Sequence, residues 1–205
     1  MTRQPWWYQL CVESTRSFLN SLWDFRTVGD LNVPLTGGVI VACTHQSHLD
    51  PWFLQACLTR RVRYVARSTL FRNPLFGGML RGLGAIPFDR EATTATAMKD
   101  LAARVKEGRA LAMFPEGTRS KDGEIGRLRP GIALLIRRSK APVVPAAVDG
   151  AFDCWPRQKK FFRPGRVRIV IGEPMTFART EGREEVLGRL GERLVSLRDE
   201  ARALA

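Results

Sequence analysis

The sequence predicts an α/β domain, a mixed and largely parallel sheet flanked by helices, with an amphipathic helical segment in front of it. Three observations carry that prediction. Apolar runs of strand length alternate with helix-length segments from Val39 to Ile171, the pattern of a layered domain whose strands are joined by crossover helices. The 205 residues, 44% of them hydrophobic, suffice for one domain with a substantial core. Between residues 5 and 25 the apolar side chains recur at helical rather than strand spacing.

The elements follow in order. Residues 1–30 form the first unit, a helical segment carrying Trp6, Trp7, Leu10, Phe18, Leu19, Leu22, Trp23 and Phe25. Leu10, Phe18, Leu22 and Phe25 share one face. Tryptophan suits the boundary between water and bilayer, so this segment either lies on a membrane or covers the main core. Residues 31–205 form the α/β domain. Val39–Cys43 reads as a buried strand. Asp50-Pro51 opens a helix to about Thr59, with Asp50 as N-cap and Pro51 at the first position. Arg61–Arg67 is a strand, Pro74–Leu83 a helix weakened by Gly77 and Gly78, and Ala85–Phe88 a short strand. Ala92–Glu107 is a helix ended by Gly108, and Ala110–Phe114 is a strand. Arg119–Pro130 is the most linker-like stretch. Gly131–Arg138 is a helix, Val143–Val148 a strand with Pro145 marking an edge or bend, and Val167–Ile171 another strand. Leu187, Leu190, Leu194, Leu197, Ala201 and Leu204 step by three and four along a packing helix.

Composition narrows the function classes. A net charge of +13 favours nucleic acid, an anionic membrane surface or phosphorylated small molecules. Eleven Phe and five Trp tilt the choice towards a membrane surface. Cys11, Cys43, Cys57 and Cys154 are too scattered for zinc pairing or a disulfide framework, so no metal is expected and a reducing compartment is. No apolar window is long enough to span a bilayer and no signal peptide is visible. The protein is expected to lie on a membrane, not to cross it.

The chemistry concentrates in two places. His45-Gln46-Ser47-His48-Leu49-Asp50 follows the first strand and sets a carboxylate five residues after an imidazole. Histidine accepts protons near neutral pH. A carboxylate on its other ring nitrogen fixes the tautomer and stabilises the imidazolium. Asp50 has a rival role as helix cap. No Gly-x-Ser-x-Gly elbow supplies a nucleophile. Cys43 lies in an apolar strand, and Ser47 reads as a hydrogen bonder that shapes the turn, so a substrate hydroxyl attacking directly is favoured. The second place is Glu116-Gly117-Thr118-Arg119 after another strand. Gly117 and its neighbours offer backbone amides for an anion. Arg119 offers a planar fork suited to phosphate, and Glu116 is placed to orient it. Arg67 and Arg90 also follow strand-like runs. Ligands gather at the carboxyl ends of parallel strands, so Arg67, Arg90 and Arg119 are expected to converge on His45. Val143–Val148 is assigned as a wall for an apolar tail. The basic, aromatic stretch from Trp155 to Arg163 either touches lipid headgroups or is a solvated loop with buried rings.

With these residues in hand, the chain resembles the glycerolipid acyltransferases typified by 1-acyl-glycerol-3-phosphate acyltransferase. That family's Asn-His-x-Ser-x-x-Asp box is met by Thr44–Asp50, with Thr44 in place of Asn. Its block ending in Phe-x-Arg is met by Gly84–Arg90, and its Phe-Pro-Glu-Gly-Thr-Arg-Ser block by Phe114–Ser120. Its Val-Pro-containing block is met by Pro142–Val148. The resemblance implies His45 as base, Asp50 as its partner and Arg119 as a phosphate ligand, with Arg67 where the family carries a second phosphate-binding cation. Substrate contacts are expected from Arg119, Glu116, Gly117, Thr118, Arg67, Arg90 and Ser47. The resemblance also implies a lysophospholipid acceptor, acyl-CoA or acyl-carrier protein as co-substrate, no other cofactor, and a peripheral place on the cytoplasmic face of a membrane. Rival classes are a non-catalytic protein that binds anionic lipid, a hydrolase that uses the same residues on water, and a nucleic-acid-binding module. The last explains the charge but not the histidine box, so no nucleic acid is expected.

Overall fold

The computed structural model describes residues 6–82, 84–88 and 94–204. Its elements run α1 (Trp6–Leu22), β1 (Asp24–Val28), β2 (Val39–Cys43), α2 (Asp50–Cys57), β3 (Arg63–Arg67), α3 (Pro74–Gly82), β4 (Ile86–Phe88), α4 (Thr94–Lys106), β5 (Ala110–Met113), α5 (Pro130–Ser139), β6 (Val143–Asp149), α6 (Ala151–Cys154), β7 (Arg166–Ile171) and α7 (Arg183–Ala203). The seven strands form one sheet in the order β1-β7-β6-β2-β5-β3-β4. Every pairing is parallel except β6 with β7. The mixed, largely parallel α/β sheet expected from the sequence is therefore present.

Strand alternation divides the core between the two faces of the sheet. Val39, Val41 and Cys43 of β2 pack with Leu19, Trp23, Phe53 and Leu54 under α1 and α2. Ile40 and Ala42 pack with Leu101, Ile132, Leu135, Leu190 and Leu194 under α4, α5 and α7. Phe53 is fully buried, and its ring meets Trp23 edge-on at 5.6 Å. Burial of one such side chain contributes about 1.5–3 kcal/mol, so these rows fix where β2 ends and its loop begins.

Several expectations are corrected. The helical segment stops at Leu22, and Phe25 belongs to β1, an edge strand paired with β7. Among the described side chains of α1, Leu19 is buried, followed just past the helix by Trp23, whereas Trp6, Leu10 and Phe18 are exposed. β1 is clipped to its neighbour by Arg168, whose buried guanidinium donates from Nη1 to the Asp24 carbonyl and from Nη2 to its carboxylate, both at 2.6 Å. Burying that cation would be costly without the partner. The hydrogen bond from Arg168 holds the Asp24 carboxyl below its usual range.

Pro145 lies in a central strand, not at an edge. It is tolerated because the β6–β7 ladder runs only from Ala146 opposite Ile171. At the next rung Gly172 donates to the Pro145 carbonyl at 2.8 Å, and the N–H that proline lacks falls at a break in the pairing, which resumes at Val143 opposite Met175 shifted by one residue. Val143–Val148 is buried on every side by protein, so it does not line a cavity for an apolar tail. Residues 119–130 are not a linker: Leu128 and Ser120 are buried there and Gly126 is bonded to Glu116.

Candidate active site

β2, β5, β3, β4 and β6 all point their carboxyl ends to one edge of the sheet, and β2 and β5 are adjacent, with Ala42 opposite Met113. The loop after β2 thus meets the turn after β5. Thr44 begins that loop: its N–H donates to the Ala146 carbonyl at 3.1 Å, and its hydroxyl accepts from the Val148 N–H at 2.9 Å. His45 is then held from both sides. Its N–H donates to Glu116 Oε1 at 2.8 Å, and its carbonyl accepts from the Ser120 N–H at 2.7 Å. Its ring stacks on Phe114, with centroids 3.9 Å apart and planes 17° apart.

Nδ1 of that ring lies 2.7 Å from Asp50 Oδ2, and the His45 side chain keeps 18% of its surface exposed while Asp50 keeps none. The same oxygen accepts from the Gln46 and Ser47 N–H groups, each at 2.7 Å. These bonds fold the five-residue separation back on itself. The rivalry over Asp50 is settled as well. The N-cap of α2 is Leu49, and Asp50 takes the amides in front of the helix rather than those inside it. A carboxylate on Nδ1 makes that nitrogen the proton donor and leaves the lone pair on Nε2.

The turn after β5 is built on Pro115. Gly117 donates to the Phe114 carbonyl at 3.0 Å, with proline at the second corner and glycine at the fourth. Gly117 has φ +67°, a conformation that costs a side chain about 1–2 kcal/mol. Glu116, 3% exposed, turns inward and accepts from His45 through Oε1 and from the Gly126 N–H through Oε2, both at 2.8 Å. Burial pushes its carboxyl above the usual range, and those two backbone bonds oppose the shift. Arg119 is half-buried. His48, exposed beside Trp155 with ring centroids 5.0 Å apart, is held below its ordinary value by partial burial, then by the charges of Arg119 and His45. Arg119 therefore brings its cation to the edge of the sheet where His45 lies.

An oriented base, a cation and a half-open ring are what acyl transfer to an alcohol requires, and the comparisons with known proteins agree. The sequence matches the Acyltransferase family profile over residues 24–149, from β1 to the end of β6. The chain belongs to the acyltransferase family. It is 30% identical over 169 residues to the 1-acyl-sn-glycerol-3-phosphate acyltransferase of Bacillus subtilis, covering 82% of each chain. It is 31% identical to the Pseudomonas aeruginosa enzyme of the same name, over 86% of this chain and 67% of that one. With the human beta form it shares 32% identity over 65% of this chain and 49% of that one. The crystal structure of the Thermotoga maritima 1-acyl-sn-glycerophosphate acyltransferase superposes with a TM-score of 0.80 at 23% identity, covering 96% of this chain and 82% of that chain. It has the same fold. The protein is thus an O-acyltransferase.

Within this acyltransferase the expected site residues divide into three groups. His45, Asp50 and Arg119 come together at the carboxyl edge of the sheet, with Thr118 and Gly117 on the same turn. Glu116 and Ser47 lie there too but are turned into the protein. Glu116 holds the backbone amides of His45 and Gly126. The Ser47 hydroxyl donates to the Trp155 carbonyl at 2.8 Å and accepts from the Leu49 N–H at 3.2 Å. Neither is placed to touch a substrate, because both are buried and bonded to the main chain. The Gly117 amide likewise closes its own turn instead of cradling an anion. Arg67 closes β3; its side chain, like the whole of Arg90, lies outside the described residues. Cys43 is fully buried, and burial drives its thiol well above the usual range, which removes it as a nucleophile. Among the described residues, no cluster of His, Cys, Asp or Glu is placed to hold a metal ion.

Sequence reasoning missed Phe114 as the shelf under His45. It also missed Gln46, whose side chain donates to Gly123 at 2.8 Å and accepts from Phe152 at 3.3 Å. Phe114 had one usable signal, its position directly at the end of a strand beside the glutamate turn.

Proposed function

We propose that this acyltransferase moves a fatty acyl group from a thioester donor, acyl-CoA or acyl-carrier protein, to the free hydroxyl of a lysophospholipid. The acceptor it fits first is 1-acyl-glycerol-3-phosphate, giving phosphatidic acid. The observation that carries the reading is the 2.7 Å contact between His45 Nδ1 and the buried Asp50 carboxylate, which leaves Nε2 as the base at a half-open ring. In this mechanism Nε2 takes the proton from the acceptor hydroxyl as its oxygen bonds to the thioester carbonyl carbon. The carbon–sulfur bond then breaks, and the departing thiolate recovers the proton from His45. Asp50 stabilises the imidazolium between the two steps. Arg119 supports a phosphate-bearing acceptor because its charge reaches this edge and its fork matches phosphate oxygens. The names of the bacterial relatives support the same acceptor. No described helix is long and apolar enough to cross a membrane, while Trp6, Leu10 and Phe18 are exposed on α1. Together these support a peripheral enzyme, which we place on the cytoplasmic face of an anionic membrane.

The test is an acylation assay with the product identified by mass. General-base catalysis contributes roughly 10²–10⁴-fold, so His45→Ala should lower kcat by that factor; near-full activity would overturn the mechanism. A charge-assisted contact is worth about 1.5–3 kcal/mol. Arg119→Ala should therefore lower kcat/KM roughly 10- to 150-fold for the phosphate-bearing acceptor, and much less for one lacking phosphate. Equal losses on both acceptors would refute the phosphate role.

A further inference from the structure

The segment between α6 and β7 combines features that the reaction does not use. Residues 157–165 are exposed throughout and include Arg157, Lys159, Lys160, Phe161, Phe162 and Arg163. Its stem is firmly tied. Arg163 N–H donates to the Cys154 carbonyl at 2.9 Å, Trp23 Nε1 donates to the Arg163 carbonyl at 3.0 Å, and Trp155 Nε1 donates to the Lys159 carbonyl at 3.0 Å. Phe162 is tucked between Trp23 and Trp155, with centroids 5.3 Å and 5.8 Å away. Phe161, between this anchored ring and two lysines, is 85% exposed. A large apolar side chain held out from a pinned stem, with cations on both sides, is complementary to one kind of surface. The cations meet lipid phosphates, and the ring enters the layer beneath them.

Its position strengthens the match. β6 ends and β7 begins at the edge of the sheet where His45 lies, and the stem residue Trp155 touches the reactive loop through Ser47 and His48. Beyond the carboxyl end of β3, at the same edge, Leu70 and Leu75 are also exposed. We propose that residues 157–163, with Phe161 as the inserted side chain and Lys159 and Lys160 as headgroup contacts, form a docking loop for an anionic lipid bilayer. This loop sets the mouth of the active site against the membrane. The inference rests on the proposed lipid acceptor and adds the surface through which that acceptor arrives.

The experiment uses the full chain in two arms. In the first, sedimentation with vesicles of phosphatidylcholine, with and without phosphatidylglycerol, compares wild type with Phe161→Ser and with Lys159→Gln/Lys160→Gln. Loss of a buried phenyl ring should weaken binding roughly 10- to 100-fold on anionic vesicles. Each lysine should account for about five-fold, and only where phosphatidylglycerol is present. Wild-type binding by both variants would overturn the proposal. So would a double-lysine variant that loses duplex DNA binding while keeping its vesicle binding. In the second arm, both variants should keep wild-type kcat on a short-chain acceptor dissolved as monomers and lose activity only on acceptor embedded in vesicles. Equal losses on both would mean that the loop acts on chemistry, not docking, and would also overturn it. An absence of acyl transfer by wild type on either acceptor would refute the acyltransfer reading, while the sedimentation arm would still decide the surface.

Discussion

Replacing Asp50 with asparagine separates charge from shape at the centre of the proposed mechanism. Oδ2 of Asp50 accepts from three donors: His45 Nδ1 and the Gln46 and Ser47 amides. An asparagine oxygen can take the same place and keep all three bonds. The reverse orientation would set an NH2 group against two backbone N–H groups, so the side chain has one workable pose and the loop keeps its path. What is lost is the negative charge facing the imidazolium. For charge centres about 4 Å apart at an effective dielectric near 20, that attraction is about 4 kcal/mol. This corresponds to about a thousand-fold in rate. Thiol release from acyl-CoA, followed with product mass, should show kcat/KM down by about that factor, while a urea melt confirms a folded enzyme. A loss below about ten-fold in a folded variant would refute the role given to Asp50, since a bystander carboxylate has no reason to matter more.

Two further outcomes follow from the surroundings of that pair. Glu116→Gln keeps the size of the side chain but offers one acceptor oxygen where the His45 and Gly126 amides each bond to one carboxylate oxygen; unfolding in urea should show a loss of about 1–3 kcal/mol, and an unchanged midpoint would refute the bridging role. His48 is held below 6.5 in the folded chain, by burial first and then by Arg119 and His45. The unfolded chain therefore binds the proton first as pH falls. The stability tied to neutral His48 is present above 6.5 and declines below it until the folded value is passed. Proton NMR of the ring should give a midpoint under 6.5 that rises in Arg119→Ala; an unmoved midpoint would separate Arg119 from this loop.

The contact between His45 and Asp50 was legible in the sequence because the two are five residues apart and lie behind an apolar strand, so a single local turn brings them together. The strands β2, β5 and β6 were legible for a similar reason: each is a short run buried on both sides of a parallel sheet. β1 was not. Asp24, Arg26 and Val28 are exposed while Phe25 and Thr27 are half-buried, an edge-strand alternation hidden behind the apolar stripe of α1. The true task of Glu116 was equally hidden. Its partners are the backbone amides of His45, 71 residues away, and Gly126, and an amide carries no residue-type signal. Pro145 marked a break in the β6–β7 pairing rather than an edge strand, because its missing N–H falls where that ladder is interrupted.

The single reversal in the sheet has its own consequence. Because β7 runs against its neighbour β6, the chain turns around beside the reactive loop with only the four-residue α6 between the two strands, and no long crossover helix is needed. Gly150, with φ +81° and a Cβ position only 2.1 Å from the Arg166 carbonyl, and the Asp24 N–H bonded to Gly165 at 3.0 Å fix the two ends of that excursion. The strand registers are therefore set at Gly150 and Gly165, while the loop between them is held separately by Trp23 and Trp155. A change at its exposed tip, such as at Phe161, therefore leaves the strand registers and the His45–Asp50 contact in place.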